Sequence, residues 1–297
     1  MGSGRLDRSP SMVESTRSSG SPRVAVVIPC HDDGATLPQA LASLRDQEPH
    51  EVVVVDDGST DERTLALLAR LRGEGLTVLR QENAGPGAAR MAGVQATTAP
   101  YVFPLDADDL VAPRALTALA DALDRHPGAA AAWGSERTFG RAHLEVPNPD
   151  NLDPWLVTHL NEAPNSALLR RERLLEAGGW QLRSGYEDWD LWMAMAERDF
   201  TAVRVPDVVC LHRLHAPRRY AENARRHAVI YDELRARHPA LFARRRRNWR
   251  RSRAPLRLRL VLPVVGALPL RSEYRRHRLA NLAAHPVRLL RARYARR

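Results

Sequence analysis

The 297-residue sequence has no lysine, only two cysteines, and no apolar run of the roughly 18 residues that a membrane-spanning helix requires. Cys30 and Cys210 cannot form a disulfide framework, and neither has the neighbours of a zinc site. Residues 1–21 are rich in serine, glycine and arginine and lack the apolar core of a secretory signal, which predicts a disordered leader. We therefore expect a cytoplasmic protein with one large domain and an appendage.

Positive charge is concentrated at one end of the chain, although the net charge of the whole is +10. Residues 241–297 contain 18 arginines and a single acid, Glu273, whereas the remainder has more acidic than basic residues. A basic segment with apolar patches is typical of contact with an anionic membrane surface. Docking onto the acidic body, binding of an anionic polymer and disorder are the alternatives. No nucleic-acid-binding module is recognisable, so nucleic acid is not expected as a partner.

Strand-like and helix-like segments alternate in the first part of the chain. Strands are predicted at 23–29, 51–55, 76–80 and 100–104, with helices at 35–47, at 60–72 and after Gly87. This alternation predicts an α/β fold with a mostly parallel sheet, whose ligands bind at the carboxyl ends of the strands. Residues 135–165 are rich in proline and asparagine and are expected to be mainly loop. Beyond them, helices are predicted at 171–179, 187–199 and 217–238, with strand structure at 201–211.

Polar groups follow three of the predicted strands, at His31-Asp32-Asp33, Asp56-Asp57 and Asp106-Ala107-Asp108. The third group is followed at once by Asp109, and three carboxylates at a strand exit repel one another and resist desolvation. A divalent cation with hard oxygen ligands, Mg²⁺ or Mn²⁺, removes both problems. The alternative is a polar turn in which Asp108 or Asp109 caps the following helix.

Five motifs occur in a characteristic order: VIPCHD at 27–32, VVDDGSTD at 54–61, NAGPGAAR at 83–90, LDADD at 105–109 and GYEDWDLW at 185–192. Together they resemble glycosyltransferase family 2, a family of inverting sugar transferases with the GT-A nucleotide-sugar fold. The resemblance covers about residues 23–217, and one departure is His31-Asp32, where the family often has Tyr-Asn. It implies a GT-A domain over 22–240, with a nucleotide-binding half at 22–110, an acceptor half at 111–240 and a partly helical, arginine-rich extension at 241–297.

The resemblance implies a nucleoside-diphosphate sugar donor, with UDP as the expected nucleotide, and an acceptor hydroxyl in polysaccharide, glycolipid or metabolite synthesis. The expected donor-binding residues are Pro29, His31, Asp32, Asp56, Asp57, Asn83, Gly85, Arg90, Asp106 and Glu187. A carboxylate at a strand exit can accept a hydrogen bond from a base or a ribose hydroxyl. A helix N-terminus and an arginine suit a diphosphate. For Asp56 and Asp57, the alternative is a polar turn before Gly58.

The implied metal ligands are Asp106, Asp108 and His215, binding Mn²⁺ or Mg²⁺, and the implied catalytic base is Asp188. Asp188 shares a helix face with Leu191, Trp192 and Met195, whereas Asp190 lies about 200° around the helix. We therefore expect Asp188 to face a protected cleft and to take the proton of the acceptor hydroxyl. The alternative is an ordinary first-turn acid that compensates the helix dipole.

Three other functions are less consistent with the sequence. A nucleotide-binding module without catalysis would lack an intact base and metal pair, and Asp106, Asp108 and Asp188 are all present. A tail-mediated interaction protein would depend on residues 241–297 alone. A nucleotidyltransferase of similar fold is disfavoured by the GYEDW element, which belongs to sugar transferases. We expect acceptor selection to depend on residues 135–165 and on the tail.

Overall fold

The structure is a computed structural model that describes residues 21–214, 218–268 and 272–285, with the backbone alone for 218–225. The expected leader lies outside the described residues, apart from Ser21, and so does the proposed metal ligand His215.

The described strands are β1 Val24–Cys30, β2 His50–Asp57, β3 Thr77–Gln81, β4 Tyr101–Pro104, β5 Leu110–Val111, β6 Ala129–Gly140, β7 Glu145–Val146, β8 Leu168–Arg170 and β9 Thr201–Leu214. The helices are α1 Leu37–Ala42, α2 Glu62–Gly73, α3 Pro86–Gln95, α4 Ala115–Arg125, α5 Arg171–Glu176, α6 Glu187–Glu197, α7 Arg218–Arg237, α8 Pro239–Ala243, α9 Arg245–Arg251, α10 Leu256–Ala267 and α11 Glu273–Ala284. A 3₁₀ turn covers Leu156–Thr158.

One mixed sheet runs in the order β3-β2-β1-β4-β8-β6-β9-β5, with β7 paired to β6. The first four strands are parallel, as the alternating pattern predicts for the nucleotide-binding half. Strand β8 is antiparallel to both β4 and β6, and β5 is antiparallel to β9. Residues 147–167 between β7 and β8 contain one short 3₁₀ turn and no α-helix, so β8 lacks the crossover helix that a parallel neighbour requires.

Strand β1 lies inside the sheet, and all seven of its residues are buried. Val24, Val26 and Ile28 belong to one core cluster, whereas Val27 packs in a second cluster on the opposite face. Helix α3 approaches β1 closely because it presents Gly93, where a Cβ atom would lie 2.2 Å from Val27 Cγ1. With both faces covered, the strand is a continuous apolar run rather than an alternating one.

For two of the predicted elements, the structure shows why the observed boundary differs. The helix predicted at 35–47 ends at Ala42, because the Ser43 hydroxyl donates to the Ala40 carbonyl and accepts the Val111 N–H. The segment predicted as loop from residue 135 begins as strand, since β6 pairs with β9 as far as Gly140. Cross-strand pairing has outweighed the weak local pattern in that region.

The basic tail packs on the acceptor half. Leu258, Leu262 and Val265 of α10 form an apolar cluster with Trp155 and Leu156 of the 3₁₀ turn. None of the described helices combines the length and the apolarity that a bilayer crossing requires. Body docking, one of the alternatives for the tail, is therefore a physical contact in the part of the tail that is described.

Asp153 joins the tail to the body through its two carboxylate oxygens. Oδ1 accepts the backbone N–H groups of Trp155 and Leu156, each at 2.9 Å, and so starts the 3₁₀ turn. Oδ2 accepts the Ser252 hydroxyl at 2.7 Å and the Arg253 N–H at 2.9 Å, between α9 and α10. The carboxylate is buried, so both groups of contacts are shielded from water. Sequence analysis missed this residue, because no local pattern connects positions a hundred residues apart.

Candidate functional site

The ends of β2, β1 and β4 lie side by side at one edge of the sheet, because these neighbouring strands are parallel. Pro29 is accommodated in this central strand because β1 pairs with β4 only over Val24–Val27. The Val27 carbonyl faces β4 and accepts the Leu105 N–H at 3.0 Å. The nitrogen of Pro29, two residues further on, faces the same side beyond the last residue paired with β4, so the strand loses no hydrogen bond there. The three polar strand exits therefore converge as the sequence predicts.

Asp57, at the end of β2, holds the loop that leads into α3. Its Oδ1 accepts from Gln81 Nε2 at 2.8 Å and from the Ala84 N–H at 2.9 Å, and its Oδ2 accepts the Gly85 N–H at 2.9 Å. Gly85 has φ +88°, which favours glycine at this helix start. Asp57 is only 3% exposed, so its carboxylate shapes the expected phosphate-facing loop from below.

Asp56 and Asp32 also have partners within the protein. Asp56 accepts the Ser59 N–H at 2.8 Å, the polar turn foreseen as the alternative, and pairs with Arg80 Nη1 at 2.7 Å. Asp32 accepts the N–H groups of Thr60 and Asp61 at 2.7 and 2.8 Å, and these contacts lower its pKa. Both carboxylates thus brace the turn between β2 and α2, while Asp32 itself adopts φ +58°.

His31 and Asn83 are the accessible members of this edge. Nδ1 of His31 lies 2.8 Å from the Asp57 carbonyl oxygen, and the side chain is 39% exposed. Asn83 is exposed, and its Nδ2 lies 3.3 Å from the His31 ring nitrogens. These two side chains can therefore contact a ligand that lies over the ends of β1 and β2.

Asp106, Asp108 and Asp109 form an acidic cluster after β4, and one carboxylate oxygen from each lies within 4.8 Å of the others. Asp106 and Asp108 are half-buried, whereas Asp109 is buried. Asp109 accepts the Arg213 N–H at 2.8 Å, and its other oxygen lies 2.8 Å from His212 Nδ1. This hydrogen bond raises the pKa of His212 to about 9, so His212 and Asp109 form an ion pair.

The pairing of Asp109 with His212 was not foreseen by the sequence analysis, which named His215 instead. His212 ends up beside the cluster because β9 runs antiparallel to β5, and Val111 pairs with Cys210. The signal was present in both motifs, since Asp109 ends LDADD and His212 begins the His-Arg-Leu-His segment. Only the strand pairing connects the two motifs.

Arg90 links the acidic cluster to the start of α6. Its Nη2 donates to Asp106 Oδ1 at 2.7 Å and its Nη1 donates to Glu187 Oε1 at 3.0 Å. The residue is only 3% exposed, and its guanidinium lies over the Trp180 ring at 5.7 Å. In this structure Arg90 therefore orients two carboxylates of the site, whereas the sequence analysis expected it to contact phosphate.

Asp188 lies in the first turn of α6, after a backbone segment with unusual conformation. Gly185 and Tyr186 have φ of +113° and +58°, and left-handed conformation is strained for a tyrosine. Asn161 Nδ2 donates to Asp188 Oδ2 at 2.7 Å. Burial and the neighbouring charge of Glu187 raise the pKa of Asp188 to about 6. A carboxylate with such a pKa is suited to accept a proton near neutral pH.

Asp190 is more buried than Asp188, which corrects the face argument made from the sequence. Helix α6 is buried on all sides over residues 189–196, so it has no single apolar face. Asp190 pairs with Arg237 Nε at 2.7 Å and with His238 Nε2 at 2.9 Å. These partners lower its pKa against the effect of burial. Asp190 is thus a structural anchor for α7 and α8, and Asp188 is the less buried of the two carboxylates.

Two asparagines from the expected loop region reach the site, and sequence analysis did not name them. Asn165 Nδ2 donates to Asp106 Oδ2 at 3.1 Å, as Asn161 does to Asp188. The Oδ1 atoms of both asparagines are buried and have no hydrogen-bond partner among the described residues. The segment between β7 and β8 therefore donates hydrogen bonds to both carboxylates, and the expectation that 135–165 affects acceptor selection stays a prediction.

Residues 25–175 match the sequence profile of the family described as Glycosyl transferase family 2. The chain belongs to glycosyl transferase family 2. Among curated relatives, this family 2 chain is 41% identical over 93 residues to the succinoglycan biosynthesis protein ExoU of Rhizobium meliloti. It is 24% identical over 196 residues to chondroitin synthase of Escherichia coli. These matches cover 30% and 62% of this chain, but only 27% and 28% of the relatives' own lengths.

Solved structures of the same architecture identify the fold as GT-A. The mannosyltransferase PcManGT from Pyrobaculum calidifontis, in complex with GDP-Man and Mn²⁺, superposes with a TM-score of 0.58 at 23% identity. That match covers 90% of this chain and 87% of PcManGT. S. aureus TarS in complex with UDP superposes with a TM-score of 0.52 at 22% identity, over 68% of this chain and 63% of TarS. The mixed sheet is thus shared by proteins that differ widely in sequence.

Proposed function

We propose that the protein is a metal-dependent, inverting glycosyltransferase that moves a sugar from a nucleoside-diphosphate sugar, a UDP-sugar in the first instance, to an acceptor hydroxyl. The observation that carries the proposal is the joining of the acidic cluster to Asp188 by Arg90 and Glu187. A cation ligand pair and a base candidate are thereby held in one rigid unit. Membership of the family and the similarity to TarS, whose structure contains UDP, support the choice of donor.

The proposed donor site lies over the ends of β1, β2 and β4. His31 and Asn83 contact the nucleoside, beside Pro29, and the start of α3 at Gly85 faces the diphosphate. The other donor-site residues act mainly through hydrogen bonds within the protein. Asp32, Asp56 and Asp57 position the loops, and Arg90, which also pairs with Glu187, orients Asp106.

The acidic cluster fits a hard divalent cation, since it offers oxygen ligands within 4.8 Å of one another. Asp106 and Asp108 would hold Mn²⁺ or Mg²⁺, with His215 proposed as a further ligand from the sequence. The oxygens of Asp109 accept hydrogen bonds from His212 and Arg213, so Asp109 positions the cluster and is not proposed as a main metal ligand. The ion, when bound, supplies Lewis-acid stabilisation of the leaving diphosphate.

Asp188 is the proposed general base. It takes the proton of the acceptor hydroxyl while that oxygen forms a bond to the anomeric carbon. The bond from that carbon to the diphosphate oxygen breaks in the same step, and the nucleoside diphosphate leaves with its electron pair. Attack from the side opposite the leaving group inverts the anomeric configuration. Asn161 orients Asp188 through its 2.7 Å hydrogen bond.

The test is a calorimetric titration of UDP into the whole chain, with Mn²⁺ and then with EDTA. We expect binding that needs the metal and that weakens by about 10–100-fold in Asp108→Asn, because Asp108 would help to hold the cation that neutralises the diphosphate. The matched control is Asp207→Asn, which removes an exposed carboxylate from β9. Product formation from a panel of UDP-, GDP- and dTDP-sugars then identifies the donor. Full binding of all donors without transfer would contradict the enzyme and favour an inactive nucleotide-binding module.

We also propose that the tail contacts an anionic membrane surface on the cytoplasmic side. Helix α10 exposes Leu256, Leu260 and Val264, spaced four residues apart, while its other face packs on the body. Arg253 and Arg257 are exposed nearby, and each basic residue near an anionic bilayer contributes about 1 kcal/mol. An apolar face bordered by arginines is typical of helices that lie in a membrane interface.

Sedimentation with lipid vesicles tests this contact. We expect the chain to bind vesicles that contain phosphatidylglycerol more strongly than vesicles of phosphatidylcholine, and Leu260→Glu to reduce binding. Leu175→Glu, at an exposed position of α5 in the acceptor half, is the matched control. Binding that ignores lipid charge or survives Leu260→Glu would exclude this mode of contact.

A further inference from the structure

A cavity of about 300 Å³ lies between the tail helices and the acceptor half, apart from the acidic edge. One wall is apolar and includes Leu262 and Val265 of α10. The other wall carries guanidinium groups from three different helices, namely Arg235 of α7, Arg245 of α9 and Arg276 of α11. The cavity exists only because the tail folds back onto the body.

Among the residues that line this cavity, positive charge exceeds negative charge, although Arg235 also pairs with Asp232, outside the lining, at 3.9 Å. Glu273 is the one acid among its lining residues, and that carboxylate is paired with Arg276. Arg245 is half-buried, and no carboxylate pairs with it among the described residues. Its nearest polar partner is the His159 ring, whose two nitrogens lie 2.8 and 2.7 Å from Nη2. A partly desolvated cation without a counter-charge is costly, and a bound anion would relieve that cost.

The histidines of the cavity cannot supply the missing negative charge, but they can donate hydrogen bonds. His227 and His277 stack with ring centroids 4.2 Å apart. Burial lowers the pKa of each to about 4, so both rings are neutral at pH 7. Burial and the charge of Arg245 likewise lower the pKa of His159 to about 2. The neutral ring of His227 can donate one N–H to a phosphate oxygen, whereas His277 already contacts Asn281 Nδ2 at 2.9 Å and the His159 backbone.

We propose that this cavity is a binding site for a phosphate group, held mainly by Arg245 and Arg235, and that the ligand is an acceptor with an apolar portion. Guanidinium groups match the geometry of phosphate oxygens, and the apolar wall of Leu262 and Val265 suits an alkyl segment beside that phosphate. The site is distinct from the donor site, which is built from the strand exits of the other half.

Residues that line the cavity contact, or are close in sequence to, the neighbours of the proposed base. His159 lines the cavity, and Asn161, two residues further on, donates to Asp188. Trp189, next to Asp188, lies against the rings of His227 and His277, with centroid distances of 6.4 and 5.6 Å. A ligand with its phosphate in the cavity can therefore direct another part toward Asp188. The assignment of that ligand as the acceptor rests on the proposed function, whereas the phosphate site itself does not.

Calorimetric titration of the whole chain in EDTA, first with inorganic pyrophosphate and then with dodecyl phosphate below its micelle concentration, tests the site. We expect binding of a phosphate probe to weaken by about tenfold or more in Arg245→Gln, because charge-assisted hydrogen bonds are lost. Arg235→Gln, at an exposed position, provides a second variant with little risk to folding. Tighter binding of dodecyl phosphate than of pyrophosphate would support the apolar portion of the ligand, and equal binding would contradict it.

The control is Arg247→Gln, which removes an exposed arginine of α9 outside the cavity and should leave binding unchanged. Failure of both probes to bind, or equal weakening by Arg247→Gln and Arg245→Gln, would overturn the phosphate site. UDP titration with Mn²⁺ on the same variants separates the two proposals. Asp108→Asn should lose UDP and keep the phosphate probe, whereas Arg245→Gln should do the reverse. If the unsubstituted chain binds the phosphate probe but not UDP, the result would contradict the proposed function and leave the cavity site intact.

Discussion

The acidic edge of the sheet and the basic cavity under the tail carry opposite excesses of charge. At the edge, Asp106, Asp108 and Asp109 gather within 4.8 Å, and Arg90 and His212 neutralise part of their charge. At the cavity, three arginines face one glutamate. In both places the protein has an excess of charge that a ligand of the opposite sign would neutralise. At the edge that ligand would be a cation with its diphosphate, and in the cavity it would be a phosphate.

The two regions differ in how they are assembled. The acidic edge consists of turns that directly follow buried strands, so its residues are close in sequence to the elements that position them. The cavity brings together His159, Arg245 and His277, which belong to three separate segments. A region of the first kind can be recognised from motifs, whereas one of the second kind depends on how distant helices pack. The following changes test whether the two regions really have separate roles.

The largest expected effect is the loss of transfer in Asp188→Asn. We expect the rate to fall by about 10²–10⁴-fold, because the amide cannot accept the proton of the acceptor hydroxyl. UDP affinity should change by less than about twofold, since the donor binds elsewhere. Initial rates of product formation and calorimetry measure the two quantities, with Asp207→Asn as control. An Asp188→Asn variant with unchanged rate would place the base at another residue.

Asp190→Asn should instead reduce stability. It removes the carboxylate that contacts the buried His238 and the exposed Arg237, and losing hydrogen bonds to a buried charged group costs about 1.5–3 kcal/mol. The melting temperature should therefore fall by several degrees. Asp188→Asn should not lower it at pH 8, because the pKa of Asp188 is raised on folding and its charge therefore opposes folding there. Thermal melts of the two variants, measured side by side, test whether neighbouring carboxylates have opposite roles.

Asp153→Ala should loosen the tail while leaving the acidic edge intact. The substitution removes the acceptor of the Trp155 N–H on the body and of the Arg253 N–H on the tail. Leaving such groups unsatisfied should weaken the docking of the tail by about 1–3 kcal/mol. Hydrogen exchange should increase in residues 252–268, and UDP binding should persist. Asp150→Ala, an exposed neighbour paired with Arg204, is the matched control. Unchanged protection of the tail would mean that the apolar cluster alone holds it.

The smallest expected effect is a shift in the pH profile. Activity should decline below about pH 6 as Asp188 takes up a proton, since only the ionised form acts as a base. Glu187 raises the pKa of Asp188, whereas Arg90 and the Asn161 hydrogen bond lower it. Asn161→Ala should therefore move the acidic limb of kcat/KM to higher pH, by up to about one unit. A limb that stays in place would show that another group controls the decline.

Much of the nucleotide-binding half could be predicted from the sequence. The predicted helix at 60–72 is observed as Glu62–Gly73, and the predicted strand at 76–80 is observed as Thr77–Gln81. Buried strands of β-branched residues and turn-forming glycines are local signals, and the parallel order follows from the crossover helices between them. The placement of Asp106 and Asp108 beside the ends of β1 and β2 follows from the same logic.

The functions of individual carboxylates could not be predicted in the same way. Asp56 and Asp57 look alike in the sequence, yet one pairs with Arg80 and the other binds the loop before α3. Asp188 and Asp190 were distinguished by helix geometry, but the actual reason is the ion pair of Asp190 with Arg237 and His238. A carboxylate's role depends on which donors reach it, and those donors come from distant segments.

The sequence by itself determined the alternating α/β pattern, the acidic strand exits and the concentration of arginine in the tail, because these depend on residue order and composition. Tertiary structure alone decided that β8 reverses direction, that Arg90 bridges Asp106 and Glu187, and that the tail encloses a cavity with Arg245 in its wall. The physical reason is range. Backbone preference and periodicity act over a few residues, whereas charge pairing and burial depend on which segments meet in the folded chain.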